Sequence, residues 1–197
     1  MDIDAVKTLP LADQMTFLRG RILGESLSME AVARYVYVRL SGGSNLEEAL
    51  DTPQQFKKLA VDCANFVSSS ERLSKRIKPL AMTVIENAAV LYERRNRFVH
   101  DALRHDLISE ERWARFKLWR RKGEKGEPLP SPEPVSSEEM IDLVFDLIRE
   151  TWRLRGLLWS LIGTSQEVSP FLTHAFDPQW DGSINIVNDG PGELPQR

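Results

Sequence analysis

Apolar residues recur along most of this chain at the three- and four-residue spacing of helices that bury one face. From about Asp13 to Leu40 the stripe runs through Phe17, Leu18, Ile22, Leu23, Leu27, Val32, Tyr35, Val36 and Leu40. Gly20 and Gly24 lie inside it, and each costs a helix about 1 kcal/mol relative to alanine. Either small residues permit a close helix crossing there, or the element breaks near Ser26 and Ser28, where a serine caps a second helix. One long helix is the favoured reading, ended at Ser41-Gly42-Gly43 by a glycine stop.

Leu46 to Leu50 reads as a helical turn. Thr52-Pro53 places a cap residue before a proline and starts a helix through about Val67, with Leu59, Cys63, Phe66 and Val67 on its apolar face. The strongest stripe, Ala81, Val84, Ile85, Ala88, Leu91 and Tyr92, belongs to a central helix from Glu71 or Ser74 to Phe98, in which Pro79 marks a kink or the true start. From Ala102 to Arg115 the pattern is short and helical. Phe116 to Arg120 then alternates apolar and basic, the period of a strand, and a glycine- and proline-spaced loop follows. Ser136 or Ser137 caps the last strong helix, which Gly163 ends. The expectation is an all-α antiparallel bundle of four to five main helices, with a short strand or hairpin insertion near 113–135. Residues 1–163 form the helical domain, and 164–197 are an extension packing on the bundle or on a partner chain, because Phe171, Phe176 and Trp180 are too apolar for a solvated tail.

Carried one turn further, the central stripe lands on Arg95, Asn96 and Val99 without changing phase. Polar groups where a core is expected cost energy unless they are paired or line a cleft, which marks Glu93 to Asp101 as the candidate site. Asn96 and His100 are one turn apart. Arg95 and His100 are five positions apart and so roughly 140° around a straight helix. They converge only if the helix bends or ends here, or if the cleft lies between two copies of the chain. A histidine, with an ordinary pKa of about 6.5, and an always-charged arginine supply a proton shuttle and a clamp for phosphodiester chemistry. The plainer alternatives are a packed or capping His100, an Arg95 paired with Glu86, Glu93 or Asp101, and an Asn96 bonded to backbone at the helix end.

Arg95-Asn96-Arg97-Phe98-Val99-His100 resembles the R-x4-H signature, in its Arg-Asn form, of the HEPN superfamily (higher eukaryotes and prokaryotes nucleotide-binding). The resemblance extends over helices from about Gln14 to Gly163, though its specific part is this hexapeptide. It implies a bundle that dimerises with the motifs of two subunits facing one another. It also implies a metal-independent endoribonuclease that cleaves single-stranded RNA by 2′-hydroxyl attack, with catalytic Arg95, Asn96 and His100 and no cofactor. The family's settings include toxin-antitoxin systems and defence, with an antitoxin or regulatory protein as partner. Some members are non-catalytic, so an RNA- or nucleotide-binding module and a dimeric scaffold for a protein partner are the alternatives.

Composition narrows this further. Net charge is −3, from 26 basic and 29 acidic residues, so nucleic-acid contact requires a local patch. Arg94 and Arg97 are candidate phosphate contacts. So are Lys117, Arg120 and Arg121 in the basic run from Arg112 to Lys125, where Trp113, Phe116 and Trp119 offer stacking faces or serve as core. The single cysteine, Cys63, rules out an intrachain disulfide and a cysteine-rich zinc site, and His105 and His174 lack metal-ligand spacing. No basic leader precedes the acidic start and no apolar run is long enough to span a membrane, so the expected setting is cytoplasmic, with no membrane partner.

Overall fold

A computed structural model describes residues 3–44, 46–49, 55–71, 73–105, 113–116 and 133–162. These are mostly helical: α1 (Ile3–Lys7), α2 (Leu11–Leu40), α3 (Phe56–Ser69), α4 (Ile77–His100) and α5 (Ser137–Ile162), with a 3-10 turn at Leu46–Ala49. Between α4 and α5 lies an antiparallel sheet of β1 (Ala102–His105), β2 (Trp113–Phe116) and β3 (Glu133–Val135), in that order.

The long first helix is unbroken through both glycines. A Cβ built on Gly20 or Gly24 meets nothing within 4 Å, so neither glycine serves a close crossing inside the chain. Ser26 is not a cap but a buried residue in mid-helix. The stop is as expected: Gly42 adopts a φ of 92°, Gly43 N–H donates to the Val38 carbonyl at 2.8 Å and Gly42 N–H to Arg39 at 3.3 Å, the paired bonds that close a helix on a left-handed glycine.

α4 begins at Ile77, which puts Pro79 in its first turn, where a missing N–H is harmless. It runs antiparallel to α2, since Arg95 meets Ser26 while Arg19 reaches Val99. It is antiparallel to α3 as well: Phe56 stacks on Tyr92 with centroids 4.4 Å apart, and Lys78 donates to the Ser68 carbonyl at 3.1 Å. Arg94 pairs with Asp146 of α5 at 2.9 Å, whereas Ile85 and Ala88 share a small void with Leu154 further along, so α5 is antiparallel to α4 too. α4 therefore packs against all three other long helices, as does α2, whose contact with α5 is the most extensive. Val84, Ile85, Ala88 and Leu91 sit in a core with Leu18, Ile22, Met29, Leu59, Leu147 and Leu154.

The Ala102 stretch corrects the helical expectation. Ala102 to His105 is a strand, paired Leu103 to Arg115 and His105 to Trp113, and β2 pairs onward with β3, Trp113 facing Val135. The i, i+4 spacing of Leu103 and Leu107 mimics a helix, but sheet partners from Trp113 to Phe116, beyond the reach of that spacing, win. Of the strand expected at Phe116 to Arg120, Phe116 ends β2 (Trp113–Phe116), and residues 117–120 lie outside the described residues. Ser136 caps α5, its hydroxyl accepting from Glu139 N–H at 3.1 Å. Residues 164–197 lie outside the described residues.

Candidate functional site

The last turns of α4 present two different faces. Helix periodicity turns Arg95 inward, and only 7% of the residue is exposed. Its Nε donates to Ser26 Oγ at 2.9 Å and its Nη1 to Asn96 Oδ1 at 2.9 Å, while the guanidinium lies 5.1 Å from the Tyr92 ring centroid. That contact is within range of a cation–π attraction. Arg97 and His100 are exposed, Asn96 is half-buried, and all three line one cleft of about 940 Å³.

The cleft is walled by α4 through Ala89, Val90, Glu93 and Arg94, by Asp101 just past its end, by Phe56 and Lys57 at the start of α3, and by Arg115 and Glu133 of the sheet. Val90 is 60% exposed and gives this wall an apolar patch. Lys57, Arg94 and Arg97 bring positive charge, and Glu93 negative. Arg115 is buried and neutralised: it pairs with Glu133, stands 3.7 Å from Asp101 and lies 5.3 Å over the Phe98 ring. Bonding to Arg115 first, and then the fields of Arg115 and Arg97, hold the Glu133 carboxyl below its usual range. Burial, reinforced by Glu30, raises the Tyr92 phenol, so the ring is a neutral part of the floor. Arg19 secures the end of α4 by donating to the Val99 carbonyl at 2.7 Å, one of the helix-end acceptors left without an intrahelical donor.

The structure thus brings Asn96, His100, Arg94 and Arg97 together and leaves Arg95 beneath them. The helix neither bends away nor ends before His100, so Arg95 and His100 do not converge within one chain. The carboxylates Glu86, Glu93 and Asp101 are not Arg95's partners; a serine from α2 is. Lys117, Arg120 and Arg121 lie outside the described residues. Arg115, from the same basic run, is a structural tie between α4 and the sheet. Sequence reasoning missed Lys57 and Ser26. Lys57 is an ordinary first-turn lysine without a distinguishing signal, and Ser26 was visible only as a would-be cap. Cys63 is buried, which pushes its thiol up to about 12 and leaves it inert. Among the described residues no cluster of His, Cys, Asp or Glu fits a metal ion, and no helix is long and apolar enough to cross a membrane.

No protein-family model matches the chain, nor does any curated protein or solved structure.

Proposed function

We propose that the protein is an endoribonuclease of HEPN type acting on single-stranded RNA, with the cleft at the end of α4 as its site. The observation that carries this reading is the convergence of His100, Arg97 and Asn96 on one open cleft large enough for a ribose-phosphate unit. In it, His100 takes the proton from the ribose 2′-hydroxyl as the oxygen attacks the adjacent phosphorus, and returns a proton to the departing 5′-oxygen. The product is a 2′,3′-cyclic phosphate. Arg97, three positions from His100 on the same helix face, clamps the negatively charged phosphorus centre, with Lys57 and Arg94 steering the strand. Arg95 acts on Asn96 from below. Two copies with their α4 ends facing would set both His100 side chains along one strand. No step calls for a metal, and DNA, lacking the 2′-hydroxyl, survives.

Incubation of the full chain with labelled single-stranded RNA in chelator tests this. Cleavage is expected, and His100→Ala is expected to lower its rate by about 10²- to 10⁴-fold without changing the thermal midpoint. Undiminished cleavage by the variant would remove His100 from the reaction. A second reading, a non-catalytic RNA- or nucleotide-binding module, is favoured by one observation: the first residue of the motif is sealed from the cleft. Retention of RNA without cleavage identifies it.

A further inference from the structure

Ser26 is 1% exposed, on a helix that contributes no wall to the cleft. Its hydroxyl donates to the Leu23 carbonyl at 2.8 Å, so its lone pair is what meets Arg95 Nε. A guanidinium has donors only. Whatever Arg95 Nη1 touches on Asn96 must therefore be the carboxamide oxygen, and the amide nitrogen is left on the opposite side. Arg95 is absent from the cleft wall and Asn96 is part of it, and the amide nitrogen is turned away from Arg95. Unpinned, a carboxamide turns over and offers oxygen as readily as nitrogen. Here one orientation is enforced from the core.

We propose that Ser26 and Arg95 form a positioning relay that presents the Asn96 amide nitrogen to the cleft as a hydrogen-bond donor for an anionic phosphoryl oxygen. Two features favour an anion over a neutral acceptor. Among the described residues no carboxylate pairs directly with Arg95, and its hydrogen-bond acceptors and ring contact are neutral, although Glu30 and Glu93 act through space on the adjoining Tyr92. Arg97 and Lys57 flank the same space. Ser26 and Arg95 are thus positioning residues and Asn96 a binding residue. The choice of phosphate as ligand class rests on the reading given under Proposed function; the orientation of Asn96 does not.

The test uses the ¹⁵N-labelled full chain, with inorganic phosphate and then a single-stranded RNA tetranucleotide as probes. The Asn96 side-chain NH₂ pair is identified by its loss in Asn96→Asp. Phosphate is expected to shift that pair in the wild type. Ser26→Ala is expected to weaken the response at least threefold, and Ser26→Thr, which keeps the hydroxyl, to restore it. Asn96→Asp is expected to bind phosphate more weakly than Asn96→Ala, because a carboxylate held by Arg95 turns its second oxygen on the anion. An NH₂ pair that stays still while Arg97 or His100 signals move, or equal responses in wild type and Ser26→Ala, overturns the relay. RNA cleavage with a silent Asn96 sinks the relay and spares the ribonuclease. A phosphate response at Asn96 with no RNA bound or cut does the reverse. Silence toward both probes removes both.

Discussion

Arg95 and Arg115 are buried to the same degree, 7% exposed each, and both lie over an aromatic ring. Their surroundings differ in charge. Arg115 sits between Asp101 and Glu133, whereas Arg95 has a serine, an asparagine and a tyrosine face. Taking a guanidinium from water costs several kcal/mol, which a carboxylate offsets and neutral dipoles offset only in part. The matched arginine fastens the sheet to the end of α4 and projects little field. The other meets only neutral groups at hydrogen-bond distance, with Glu30 and Glu93 acting through space on the Tyr92 ring beside it. Equal burial therefore hides a difference: Arg115 has direct carboxylate partners, and Arg95, among the described residues, has none.

The largest effect expected from this contrast is on stability. Arg115→Met is expected to cost roughly 3 kcal/mol in urea unfolding, because it removes the buried charge that ties Asp101 and Glu133 together. A cost below about 1 kcal/mol would show that the pairing does not fasten the sheet.

A third buried charge extends the comparison. Glu150 is 2% exposed and bonds Arg153 through Oε2 at 3.1 Å, while Oε1 has no hydrogen-bond partner among the described residues. Burial outweighs the pull of Arg153 and Arg149 and pushes its pKa from 4.5 to about 7. The folded state therefore binds the proton more tightly than the unfolded state. Below pH 4.5 no penalty exists, and as pH rises through about 7 the stability linked to that proton is lost. Glu150→Gln is expected to match the wild type at pH 4 and to exceed it by on the order of 2 kcal/mol at pH 8. Equal unfolding midpoints at pH 8 would show that Arg153 compensates the carboxylate fully.

Arg95→Met is expected to change stability by less than about 1 kcal/mol, since removing an unmatched buried charge is often neutral. Its RNA affinity, read by fluorescence anisotropy, should nonetheless fall about tenfold. A destabilisation as large as that of Arg115→Met would erase the distinction between the two arginines. Gly20→Ala and Gly24→Ala should each raise stability by about 0.5–1 kcal/mol and leave RNA affinity unchanged, since both lie in open space on α2.

The apolar stripes made α2, α3, α4 and α5 legible in the sequence, because helix periodicity is local. The Ala102 strand was not, because its pairing with Trp113 to Phe116 spans more than the three or four positions that a helical pattern samples. At the site, phase alone placed Arg95 inward and well around the helix from His100. What phase cannot supply is the identity of the group that receives an inward arginine. The eye goes to Glu93 and Asp101 nearby, and the partner is Ser26, sixty-nine positions away. Lys57 escaped notice for the same reason: a lysine in a first turn acquires meaning only when another helix end is placed opposite it.

α4 and α5 are antiparallel neighbours, as the Arg94–Asp146 pair near the end of one and the start of the other shows. A few residues are enough to join such helices, yet residues 101–136 intervene and carry the sheet to the mouth of the cleft. The lip is thus an inserted fitting that buried Arg115 and Val135 fix to the helical frame. Changing the charge of that connection while keeping Arg115 and Val135 would alter what the cleft admits and leave the helices beneath in their seats.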